Sequence, residues 1–344
     1  MGDILKNVSK DRSFYFLISG FMLIAFLAAL ALGDLKWFIP GVYFSRWMRV
    51  IPEVLSVILV YFAIRSLASP TPVEHLLGRL RSFFRDRAAG LVLFSCIAIF
   101  HGTFTSLKSM LPELHPFAFD PTIADLDELL HAGPAWMQAR FLDSLTGVIQ
   151  FLYGTIWFML VTGATFAMCV ANPSRLRSQY IWTFLLCWTV LGIVIAGCFM
   201  SAGPVFYDRL LGEDRFVGLT AHLTSTMAEK GVSLNYPELL WTAYVTKTTG
   251  LGTGISAFPS LHLAMSTLFF LAAYRFNRVL GWVMLGYLVM TMLGSIHLGW
   301  HYAVDGYFSI IATTAIWKMV GVRLKIAEQQ TDGPFGTWAP AAGN

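Results

Sequence analysis

Two short stretches put reactive side chains at the mouths of apolar runs: FPSLH at 258–262 and HYAVD at 301–305. A histidine entering a bilayer costs energy unless something uses it. In the first stretch, Pro259 suits the opening turn of a helix, where its missing N–H is not needed. The free N–H groups of such a turn make an anion site, and phosphate is a usual guest. Ser260 can add a hydroxyl donor to that anion, and His262, two residues on, can reach an oxygen leaving it. In the second stretch, His301 and Asp305 stand four apart at a helix start and so share one face. The carboxylate can accept the imidazole Nδ1–H, which fixes the tautomer and leaves Nε2 as a basic nucleophile.

These roles assemble into a phosphoryl-transfer cycle. His301 attacks phosphorus in line and becomes a phosphohistidine, with Asp305 holding and charging the ring. His262 protonates the departing alkoxide and then serves as base for the second acceptor. Ser260 and backbone N–H groups stabilise the crowded phosphoryl oxygens. The scheme asks for no metal ligand set and no cofactor. The acceptor decides the product: water gives hydrolysis, an alcohol gives transfer.

The elements that must position these residues are membrane helices. The 344-residue chain is 56% hydrophobic and 13% charged, and the excess comes in blocks. Eight blocks reach the length of about 20 apolar residues that a span needs: 13–33, 51–69, 88–107, 147–172, 178–201, 259–278, 279–296 and 301–322. The first is too long for a signal-peptide core and is read as a retained helix. The expected fold is therefore all-α and polytopic. Residues 1–87 would hold two N-terminal helices and a cytoplasmic loop, 88–322 a six-helix catalytic domain, and 323–344 a short flexible cytoplasmic tail. Cys96, Cys169, Cys187 and Cys198 all fall inside apolar runs, which argues against disulfides. Net charge is +4, with the basic residues scattered between apolar blocks, so nucleic acid is not an expected partner.

Lysine and arginine set the orientation. With the N-terminus in the cytoplasm, the inner segments carry the larger cation set, Arg79, Arg81, Arg85 and Arg87 among it, although they are the shorter segments. Both termini then lie inside. The long segments near 108–146 and 202–258 lie outside with His262 and His301, so every candidate reactive residue converges on one face. DPTIADLDELLHAGPAWMQARFLDSL reads as an amphipathic helix at the interface, broken at Gly133-Pro134, with Trp136 among the headgroups and Asp120, Asp125 and Asp127 on a solvated side.

FPSLH followed by SIHLGWHYAVD resembles the second and third signature motifs of the type 2 phosphatidic acid phosphatase superfamily. HYAVD has the His-Tyr-x-x-Asp form of its sphingolipid synthases, and the inositol phosphorylceramide synthase-like branch is the nearest look-alike. The resemblance implies a catalytic set of His262, His301 and Asp305, with Ser260 and Ser295 as motif serines. A first motif of Lys, six residues and Arg-Pro has no counterpart here. Lys247, Arg209 and Lys108 are the cations on the same face that could replace it, and Lys247 is nearest upstream of FPSLH. Tyr207 and His297 are further substrate-binding candidates.

The reading that follows is a lipid phosphotransferase of a bacterial inner membrane. It would move a phosphoinositol-like headgroup from a phospholipid to a lipid alcohol such as ceramide, with its site on the extracytoplasmic side. A lipid phosphate or diphosphate phosphatase shares the chemistry and differs in the acceptor. A transporter using intramembrane histidines is disfavoured, because transporter sites lie near the midplane of repeated, broken helices, and neither pattern is present.

Overall fold

A computed structural model describes residues 8–9, 11–229 and 235–331. The chain is an all-α membrane protein, with no strand among the described residues. Six helices are long and apolar enough to cross a bilayer. They are α1 (Arg12–Ala31), α2 (Phe44–Ser66), α3 (Pro72–Leu114), α5 (Ala135–Val170), α6 (Arg175–Cys198) and α11 (Arg278–His297). Between α3 and α5 lies α4 (Asp120–His131). Between α6 and α11 come α7 (Pro204–Leu211), α8 (Val217–Glu229), α9 (Asn235–Val245) and α10 (Leu261–Phe276). The last helix is α12 (Ala303–Thr331). All eight expected spans are therefore helical, but two differ from the other six. α10 has 16 residues, about 24 Å of helix. α12 carries Asp305, Lys318 and Arg323 and is less apolar.

Local signals explain the boundaries. Pro72 opens α3 in its first turn. Ser174 caps α6 by accepting Arg177 N–H at 3.2 Å, and Asn277 both ends α10 and caps α11 by accepting Leu280 N–H at 3.0 Å. Thus YRFNR is a tight antiparallel corner.

Three expectations need correction. The loop expected before residue 88 is helix: α3 runs 43 residues without a break, so a domain boundary at 87/88 falls inside it. Hydropathy marks the apolar part of a helix, whereas the charged RLRSFFRDR continues the same helix without an apolar signal. Lys108, placed at the start of the outer segment 108–146, belongs instead to α3, which runs on to Leu114; the amphipathic helix expected within that segment is present as α4. α12 continues past residue 322 to Thr331, so the expected tail begins as helix; residues 332–344 lie outside the described residues.

There are two main cores. The larger, around Leu93, Phe94, Ile97, Phe100, Phe184 and Leu268, joins α1, α3, α6 and α10. The second sits at one end of the bundle, where Ile123, Trp136, Tyr207, Phe216, Leu219 and Tyr302 bind α4, α7 and α8 over the start of α12. Trp136 is buried there beside Gly218 and His222, so it does not take the headgroup position expected of it. All four cysteines are free.

Candidate active site

The reactive residues meet where the starts of α10 and α12 converge. The chain approaches α10 along Ser201, whose carbonyl accepts Ala257 N–H at 2.8 Å and whose Oγ accepts Phe258 N–H at 3.0 Å. The Phe258–Pro259 peptide is cis. Ser260, fully buried, is the N-cap, accepting Leu263 N–H at 3.4 Å. The N–H groups of Leu261 and His262 take no acceptor among the described residues. The His262 ring lies between Tyr153 (ring centroids 4.2 Å, planes 10° apart) and Trp157 (4.1 Å, 30°), and its carbonyl accepts Trp157 Nε1–H at 3.2 Å.

His301 is placed by the turn between α11 and α12. Gly299 takes φ +69°, a conformation suited to glycine. The carbonyl of Ser295 then accepts both Trp300 N–H at 3.0 Å and His301 N–H at 3.3 Å. The Gly299 carbonyl accepts Val205 N–H at 3.0 Å, which ties the turn to α7. His301 Nδ1 stands 3.2 Å from Asp305 Oδ2, which also accepts Tyr302 N–H at 3.1 Å. Both residues are buried, Asp305 fully. The two imidazole centroids are 6.3 Å apart, with the rings inclined at 58°.

Of the three candidate cations, Lys108 is the one whose charge acts on both histidines. A Cβ at Gly254, where φ is +96°, would come within 2.9 Å of Lys108 Cγ, so glycine there lets the lysine stem pass. The other two cations are engaged elsewhere. Lys247 is exposed and paired with Glu113 at 2.7 Å. Arg209 pairs with Glu238 and lies over the Trp241 ring at 5.6 Å. Ser295 Oγ donates to Met292 carbonyl at 2.8 Å, so its proton is taken. Tyr207 O–H donates to Glu213 at 3.0 Å. His297 turns to Thr146 Oγ1 at 2.8 Å, with Asp143 at 4.0 Å. The structure therefore gathers His262, His301, Asp305, Ser260 and Lys108 and leaves the other five candidates in separate contacts.

Two carboxylates that sequence reasoning placed on a solvated face are buried supports. Asp120 accepts Ala202 N–H at 2.7 Å, Gly203 N–H at 2.9 Å and Tyr302 O–H at 2.9 Å. Asp127 accepts Val304 N–H at 3.1 Å and lies 3.7 Å from His131. Burial raises both carboxyl pKa values above their ordinary range, while the donated hydrogen bonds pull them back. Asp125 alone of the three is exposed, and it pairs with Arg215 at 2.8 Å. The available signal was the seven-residue spacing of Asp120 and Asp127, which puts them on one face, together with a leucine face opposite. Tyr153 and Trp157, four apart, were likewise legible as one face.

Residues 121–319 match the model of the PAP2 superfamily. The chain belongs to that superfamily. No curated protein and no solved structure matches the chain. The matched PAP2 region runs from α4 into α12 and holds His262, His301, Asp305 and Asp127. Lys108 on α3 lies before it. Membership supports phosphatase or phosphotransferase chemistry on lipid phosphates, and the apolar helices make the chain an integral membrane protein.

Proposed function

We propose that this PAP2 protein is a lipid phosphotransferase acting through a phosphohistidine on His301. The observation that carries the reading is the buried His301–Asp305 contact facing His262 across 6.3 Å, with Lys108 in range of both rings. His301 Nε2 forms a bond to phosphorus as the P–O bond to the lipid alkoxide breaks, and His262 supplies the proton that the alkoxide takes. The headgroup phosphate is then held on His301. An acceptor hydroxyl next gives its proton to His262 and attacks phosphorus, and the P–N bond breaks to restore His301. The negative oxygens lie against Lys108, the Leu261 and His262 N–H groups and Ser260.

Tyr153 and Trp157 hold the His262 ring in place and keep its surroundings apolar, which supports an alcohol over water as acceptor. A phosphoinositol-like donor headgroup and a ceramide-like acceptor are the specific substrates that the HYAVD form suggests. The test uses purified protein, a phosphodiester lipid labelled on phosphorus, EDTA, and assays with and without ceramide. Label on the acceptor lipid, lost in His301→Ala, supports metal-independent transfer. Label released to water whatever the acceptor makes the protein a hydrolase. Equal signal from wild type and His301→Ala would falsify the phosphohistidine.

A further inference from the structure

The helix α4 is amphipathic in an unusual sense: Asp120 and Asp127 face the protein, and Leu126, Leu129 and Leu130 face out beside exposed Asp125. Asp120, Ile123, Ala124 and Asp127 are buried, whereas Leu126, Leu129 and Leu130 are 47%, 80% and 58% exposed. Every acid on it is engaged. Asp120 and Asp127 hold the starts of α7 and α12, and Asp125 and Glu128 share Arg215 at 2.8 and 3.1 Å. The exposed acid on the leucine side, Asp125, one turn from Leu129, is neutralised by Arg215. Soluble surfaces seldom leave so contiguous an apolar face uncovered.

The level of this face is fixed by contacts at both ends. His131 Nε2 and Tyr307 O–H are 2.9 Å apart, and Tyr307 lies inside the first turns of α12, next to exposed Phe308 and Ile311. On the other side α5 opens with exposed Met137 and Phe141 and carries exposed Val148 and Phe151 further along the same membrane-spanning helix. The leucine face thus bridges the outward-facing apolar bands of α12 and α5. Arg140, exposed beside Phe141, can lay its stem along acyl chains and carry its guanidinium to a phosphate.

We propose that α4 and the first turns of α5, to Phe141, lie within the leaflet at the site end of the bundle, with Leu129, Leu130 and Phe141 against acyl chains. The occupant of this face is lipid, because the face continues a surface that already meets lipid. The flank of the reaction centre that Asp127 supports is then bordered by bilayer.

The test needs no activity. In a background with Cys96 and Cys198 replaced by alanine, single cysteines are placed at Leu129, Phe141, Ile311 and Thr224. Each is labelled with nitrobenzoxadiazole, and the full-length protein is reconstituted in phosphatidylcholine vesicles. Ile311 serves as the lipid-facing reference and Thr224, exposed on α8, as the aqueous one. The expected result is blue-shifted emission at 129 and 141, with quenching by nitroxide-acyl lipids several-fold above that at 224 and little quenching by iodide. Labels at 129 and 141 that behave like the one at 224 would overturn the proposal. So would blue-shifted emission that nitroxide lipids do not quench, or that vanishes on dilution of protein into excess lipid, since a protein partner or a second copy would then cover the face.

Discussion

Two helix starts meet at the site, and they are finished in opposite ways. At α12 the first N–H groups are already given to protein carboxylates: Tyr302 N–H to Asp305 and Val304 N–H to Asp127. At α10 the Leu261 and His262 N–H groups have no acceptor among the described residues, and the only cap is one long bond to Ser260. Both ends carry the positive pole of a helix dipole. One pole is neutralised internally and serves to fix a nucleophile. The other is left for a ligand. On the proposed mechanism the difference places substrate charge at α10 and nucleophile geometry at α12, the same division that the two motifs predict.

Substitutions at the two ends should separate the roles. The largest effect is expected at His301: His301→Ala should lower turnover by at least about 10³-fold, as loss of a nucleophile or its partner does. Asp305→Asn should come close, at about 10³–10⁴-fold, from a misassigned tautomer with the fold retained. Steady-state transfer assays on both variants measure this, and a mild loss in Asp305→Asn would remove the orienting role from α12. Next comes Lys108→Ala. It should cost about 10²-fold and weaken inhibition by orthovanadate, a phosphate mimic. Undiminished vanadate inhibition would show that the anion is held elsewhere than at the open end.

Asp127→Ala should act through geometry. Removing the carboxylate leaves the Val304 N–H buried and unpaired, a cost of about 1–2 kcal/mol, read as an earlier unfolding midpoint in detergent. Turnover should fall while vanadate affinity stays near wild type; a parallel loss of both would blur the two ends into one site. The smallest effect is expected at Lys247→Ala. Its exposed pair with Glu113 should matter by less than about 0.5 kcal/mol, and a deficit as large as that of Lys108→Ala would reverse the assignment of the cation.

His262, His301 and Asp305 were legible because each motif is local: the spacing that puts two side chains on one face is written in consecutive residues. Lys108 was among the candidates, but its precedence over Lys247 was hidden. Proximity along the chain favoured Lys247, whereas proximity in space depends on α3 crossing the 250–260 segment at Gly254. Asp120 and Asp127 were misread for a related reason. An acid at helical spacing looks the same whether water or a buried backbone N–H satisfies it, and only the packing of α4 on α7 and α12 distinguishes the two. The all-α membrane fold was legible from apolar block length. The true ends of α3 were not, since charged residues continue a helix without an apolar signal.

The length of α3 has a mechanical meaning. Arg87 and Lys108 are 21 residues apart on one uninterrupted helix, about 32 Å at 1.5 Å per residue, which is close to the thickness of a bilayer's hydrocarbon layer. Arg87 is tethered to the Val170 carbonyl at 2.9 Å, and the charge of Lys108 acts on both histidines. The rod is a built-in spacer: it holds Arg87 and the Lys108 end of the bundle about one hydrocarbon thickness apart.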